Sequence, residues 1–113
     1  TALAMSASQN PQAGHEVMLW ARDPAQVADM RSSRVNARYL PDLPLPASLR
    51  VTDGPADALA DLCRGQDLVV IGTPMAGLRG VLQQIGDIAA PVAWLCKGFE
   101  PAVEGAQGLM AHE

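Results

Sequence analysis

Lys97 follows the apolar run Val92–Cys96 and precedes Gly98 in "PVAWLCKGFEP", residues 91–101. An ammonium group is a compact point charge that can meet a phosphate, a carbonyl or an alkoxide oxygen. At the end of a buried strand it is either the strand's terminator or a working group. Gly98 allows close approach of the backbone to a ligand and weighs toward the second. Arg22 closes an earlier extended run, "EVMLWARD". A guanidinium there can hold a phosphate or lie over an aromatic base, and is otherwise a surface arginine.

The remaining reactive residues carry less. Cys96 stands beside Lys97 but has no histidine partner, and reads as a small buried residue. Cys63 lies far from it, and no Cys or His falls at metal-ligand spacing, so no metal site is expected. His15 and His112 have no visible partners. Tyr39 either stacks on a base or packs with the rest of "YLP" against a sheet. Met18, Met30 and Met75 read as core filling.

The elements that must hold these residues follow from the pattern along the chain. Thr1–Ser8 is rich in helix formers. Asn10, Pro11 and Gly14 then break the helix, and residues 16–21 read as a strand. Asp23 followed by Pro24 is a helix start, a carboxylate cap with a proline at the first helical position. Val27 and Met30 give that helix an apolar stripe, ending near Ser33. "NARYLPDLPLPASL" holds three prolines and is expected to be an ordered loop.

Residues 49–52 read as a short strand, with Asp53 capping a helix through Leu62. Residues 68–71 are apolar in succession, as in a parallel strand covered on both faces. Met75, Leu78, Leu82 and Ile85 mark a helix before the last strand. One helix, then strand and helix three times, then a strand, describe an open parallel α/β sheet with helices on both faces. No internal repeat or low-complexity tract interrupts it. Ligands of such sheets sit outside the carboxyl ends of the strands, which is where Lys97 and Arg22 fall. In dinucleotide-binding sheets the group after the second strand meets the adenosine ribose, so Arg22 could hold a 2′-phosphate or cover adenine. Asp23 is better explained as the helix cap.

Bulk properties narrow the function classes. The 113 residues suit one domain with a real core. With 49% hydrophobic and 18% charged residues the chain is globular. A net charge of −4, a pI near 5.0 and no Lys/Arg cluster argue against nucleic acid as a partner. No apolar run approaches the roughly 18 residues a membrane helix needs. No secretory signal is visible, and two unpaired thiols favour a reducing, cytoplasmic setting.

Taken in order and spacing, "TALA", "GHEVMLWARD", "NARYLPDLPLPASLRVT", "DLVVIGTP" and "CKGFEP" resemble the bacterial NAD(P)-dependent glycerol-3-phosphate dehydrogenases. The resemblance covers nearly the whole chain, and the three segments "LWARD", "N–YLP–LP" and "KG–E" together are far more specific than any one. It implies a Rossmann-like sheet lacking its first strand and glycine-rich loop, because "TALA" directly follows that loop in the family. Residues 1–113 are then a partial NAD(P)-binding domain, without the helical substrate domain, roughly a third of a family member. The reaction implied interconverts dihydroxyacetone phosphate and sn-glycerol 3-phosphate with NAD or NADP, supplying glycerophospholipid synthesis.

By the same resemblance Arg22 contacts the adenosine end of the coenzyme, Lys97 contacts both coenzyme and substrate, and Tyr39 lies near the adenine side. The family's general-base lysine and substrate-phosphate arginine fall outside this chain, so no catalytic residue is expected within it. A homodimeric parent is expected, with no nucleic-acid or membrane partner. The turn "NPQAGHEV" is a few residues longer than usual in the family, and "GTPM" replaces the commoner Val-Pro-Ser. Two other readings compete: a two-domain dehydrogenase acting on a different hydroxy acid, and a non-catalytic α/β binding module.

Overall fold

The computed structural model describes residues 1–100 together with Ala102, Gly108 and Met110. His112 and Pro101 lie outside the described residues. The chain divides into two compact units, Thr1–Pro55 and Ala56–Glu113.

The first unit opens with α1 (Ala2–Ser8), which buries Met5. An exposed loop follows, tightened by the Asn10 carbonyl and side chain, which accept from the backbone of Ala13 and Gln12. The longer "NPQAGHEV" turn therefore runs on the surface. The strand β1 (Met18–Trp20) pairs in parallel with β4 (Arg50–Thr52), Leu19 opposite Val51. Between them α2 (Pro24–Ser33) begins as its sequence requires: the Asp23 carboxylate accepts from the backbone of Ala25 and Gln26, and Pro24 needs no donor. Val27 and Met30 are almost fully buried, and join Met5, Leu45, Leu49 and Val51 in the core of this unit.

Two expectations fail here. The proline-rich stretch is not a loop: β2 (Val35–Asn36) and β3 (Leu40–Pro44) form an irregular antiparallel pair with a register shift between Val35 and Asn36. Prolines are compatible with an edge strand, where a missing donor breaks no central ladder. Asp53 does not cap a helix either. Gly54 and Pro55 intervene, a 3-10 turn spans Ala56–Ala58, and the helix α3 is confined to Leu59–Cys63.

Arg34 ends α2 in the left-handed region, φ 54°, as the one non-glycine residue there among those described. Its backbone N–H closes the helix on Met30, and its guanidinium donates to the carbonyls of Pro46 and Leu49. The segment leading into β4 is held by that side chain.

In the second unit β5 (Val69–Ile71) pairs in parallel with β6 (Val92–Trp94), Val70 opposite Ala93. The helix α4 (Met75–Ile85) buries Leu78 and Ile85 and contacts α3, which buries Leu59 and Cys63. The expectation that β5 is covered on both faces is overturned. Ile71 is buried, but Leu68 is 56% and Val70 41% exposed. Side chains alternate along a strand, so these two lie on one face with Leu95 of the neighbouring chain segment, itself 62% exposed. On the other face Ile71 is buried, while Trp94 opposite it is 38% exposed. Among the described residues each parallel sheet has two strands.

Candidate functional site

Parallel pairing places the carboxyl ends of partner strands on one edge. In the first unit that edge carries Arg22, in the bend after β1, and Asp53, directly after β4. In the second it carries Thr73, after β5, and Lys97, after β6. Backbone bonds continue both pairs past the strands: Ala21 N–H donates to Thr52 O at 3.0 Å, and Leu95 N–H to Ile71 O at 2.9 Å. Cys96 is half-buried, and its thiol donates to the Thr73 carbonyl at 3.0 Å, so its role is to join the two strand ends.

The cations sort themselves by what they hold. Arg31, Arg50, Arg64 and Arg79 form ion pairs, Arg34 binds two carbonyls, and Arg38 lies 5.3 Å over the Tyr39 ring. Arg22 and Lys97 remain. Both are exposed, and neither has a hydrogen-bond or ion-pair partner among the described residues. Lys97 is also the only lysine in the sequence, a signal that composition alone could have supplied. Gly98, next to it, has φ +91° and open space around its Cα. A side chain there would strain the backbone, so the glycine is set by the path of the loop.

Tyr39 stands in the turn between β2 and β3, where its N–H donates to the Asn36 carbonyl. It is 64% exposed. Packing against the sheet falls instead to Leu40, which is half-buried against the core. His15 is exposed and unpartnered among the described residues. Met30 is core filling, as expected, while Met18 and Met75 are half-buried.

Sequence reasoning missed Asn36. It is 1% exposed, accepts from Gln26 Nε2 at 3.4 Å and donates to Thr1 Oγ1 at 2.8 Å. A buried amide is costly unless bonded, and here its bonds link α1, α2 and the hairpin that presents Tyr39. Its place at the head of "N–YLP" was the only hint available.

The profile described as the NAD-dependent glycerol-3-phosphate dehydrogenase N-terminus matches residues 1–111. The chain belongs to this family. Its relatives include the glycerol-3-phosphate dehydrogenases [NAD(P)+] of Paracidovorax citrulli, 54% identical, and of Delftia acidovorans, 55% identical. Each match covers 100% of this chain and 34% of the relative. The chain thus spans about a third of the length of these curated relatives. The crystal structure of glycerol-3-phosphate dehydrogenase from Coxiella burnetii is similar with a TM-score of 0.64 and 26% identity, over 88% of this chain and 29% of that one. The fold is therefore the Rossmann-like α/β fold of the dehydrogenase family's N-terminal part. Among the described residues no helix is long and apolar enough to cross a membrane.

Each unit, taken by itself, offers donors of the kind that the coenzyme in the family's name can take. A dinucleotide offers phosphates, ribose hydroxyls and an adenine face. Arg22 and Lys97 are cations at strand carboxyl ends with no competing partner among the described residues, and Tyr39 presents an exposed ring.

Proposed function

We propose that this chain is the larger part of the NAD(P)-binding domain of a glycerol-3-phosphate dehydrogenase, interconverting dihydroxyacetone phosphate and sn-glycerol 3-phosphate. The observation that carries the reading is the pairing of the family match with Lys97: the sole lysine, unpartnered among the described residues, leaving the carboxyl end of β6. The bound coenzyme supplies or accepts the hydride. Lys97 donates to the substrate oxygen beside the nicotinamide, and so stabilises the negative charge that develops there as the carbonyl is reduced. Arg22 holds the adenosine end, through the 2′-phosphate of NADP or by lying over adenine. Tyr39 borders the adenine side. Residues beyond this chain supply the general base and the grip on the substrate phosphate. The working assembly is a cytoplasmic homodimer without nucleic-acid or membrane partners.

The test is a full-length chimera in which this chain replaces the matching segment of the Paracidovorax citrulli relative. NADH oxidation should depend on dihydroxyacetone phosphate, and Lys97→Ala should lower kcat by about a hundredfold, the usual cost of a lost oxyanion donor. A folded chimera whose turnover is indifferent to that substitution would remove Lys97 from the reaction.

A further inference from the structure

Lys97 has no partner among the described residues, but the chain is fastened on either side of it. On one side the Cys96 thiol is bonded to the Thr73 carbonyl. On the other, three residues on, the Glu100 carboxylate receives two bonds from Arg79 of α4: Nε to Oε2 at 2.9 Å and Nη2 to Oε1 at 2.9 Å. Both fastenings land on the segment that leaves β5, so Lys97, Gly98 and Phe99 form a short span between two fixed points, with Phe99 also bridged antiparallel to Met110. A fork of two parallel bonds fixes direction as well as distance, which a lysine in place of Arg79 could not do. The Glu100 side chain is 16% exposed, while Arg79 is 59% exposed, and the hydrogen bond to Glu100, then its charge, raise the guanidinium pKa. Surface ion pairs contribute little to stability. A bidentate pair with one partner largely buried is the exception that can add stability, and the same geometry fixes where the loop runs.

We infer that Arg79 is a positioning residue: by gripping Glu100 it sets where the Lys97 ammonium stands relative to coenzyme and substrate. The inference rests on the role proposed above for Lys97. Arg79 touches no reacting atom. Its effect is to narrow the positions that the 97–99 span can take, so that binding need not order the loop again.

The experiment uses the full-length chimera with Lys97→Ala, Arg79→Ala, Arg79→Gln, Glu100→Gln and the double Arg79→Gln/Glu100→Gln. Both Gln singles should lower kcat by about ten- to a hundredfold, the size of effect that a small misplacement of a reacting group produces. Thermal midpoints should stay near that of the parent. The double variant should lose no more than either single, because the two residues act as one unit. Millimolar guanidinium should restore part of the activity of Arg79→Ala, a rescue that a general loss of folding would not show. Unchanged kcat in Arg79→Gln and Glu100→Gln, with Lys97→Ala inactive, overturns the inference and leaves the Lys97 role standing. Unchanged kcat in Lys97→Ala overturns that role and the inference with it. If Arg79→Gln does not fold, Glu100→Gln and the guanidinium rescue of Arg79→Ala decide the matter by the same criteria.

Discussion

Arg31 reaches from α2 to the end of β4 and meets Asp53 there, Nη2 to Oδ1 at 3.1 Å, while its Nε donates to the Val51 carbonyl at 2.9 Å. Asp53 is thereby held at the carboxyl edge of its strand and withdrawn from capping a helix. The carbonyl bond should matter more than the ion pair, because an exposed pair gains little in water. Arg31→Met is expected to destabilise the chimera by about 1 kcal/mol, the net worth of one hydrogen bond. Asp53→Asn should cost less. Urea unfolding of the two variants gives the comparison, and the reverse order would show that the ion pair dominates.

Arg22 separates the two coenzymes by charge. Only NADPH brings a 2′-phosphate, so in the chimera Arg22→Ala should raise the KM for NADPH by about tenfold or more, as expected for a lost charge-assisted bond. The KM for NADH should change far less. Equal losses would place the guanidinium over adenine instead.

The two thiols differ in access. Cys63 is 5% exposed and burial raises its pKa above the ordinary 9.0, whereas Cys96 is half-buried. A thiol reagent at neutral pH should label Cys96 first and reach Cys63 only as the fold opens. The sign of the pH effect follows from the raised pKa. Folding favours the protonated Cys63, so its contribution to stability is intact below about pH 9 and is lost as pH rises through the folded value. Equal labelling rates in native buffer would contradict this burial.

Leu68, Val70 and Leu95 leave an apolar face open in the second unit, and each parallel sheet has strand edges without partners among the described residues. Such edges and patches seek other chains. The 113-residue chain expressed alone should self-associate and bind a hydrophobic dye, and Leu68→Lys with Leu95→Lys should reduce both. Sedimentation of the unmodified chain as a dye-silent monomer would rule this out.

Legibility in the sequence followed the range of the interactions. The start of α2 was plain because Asp23 and Pro24 act within a single turn, and α4 because Leu78 and Ile85 repeat at helical spacing. The β2–β3 pair was hidden, since prolines signal a break locally while an edge strand tolerates them. Lys97 could be found from its place after an apolar run, before a glycine. Asn36 could not be assigned a role, because its partners Thr1 and Gln26 are brought to it only by packing. The grip of Arg79 on Glu100 spans 21 positions and leaves no local trace.

The left-handed turn at Arg34 bears on how this position can drift over generations. Its backbone would suit glycine better than arginine, yet glycine would abandon the carbonyls of Pro46 and Leu49. Asparagine tolerates the dihedral but is too short to reach them, and lysine would have to bring its ammonium to the place where one guanidinium nitrogen, Nη2, now meets both carbonyls. Glycine and asparagine each satisfy one demand by forfeiting the other. A saturation library at position 34 selected for soluble yield should return arginine, and selection there would be preserving the approach to β4, with no ligand involved.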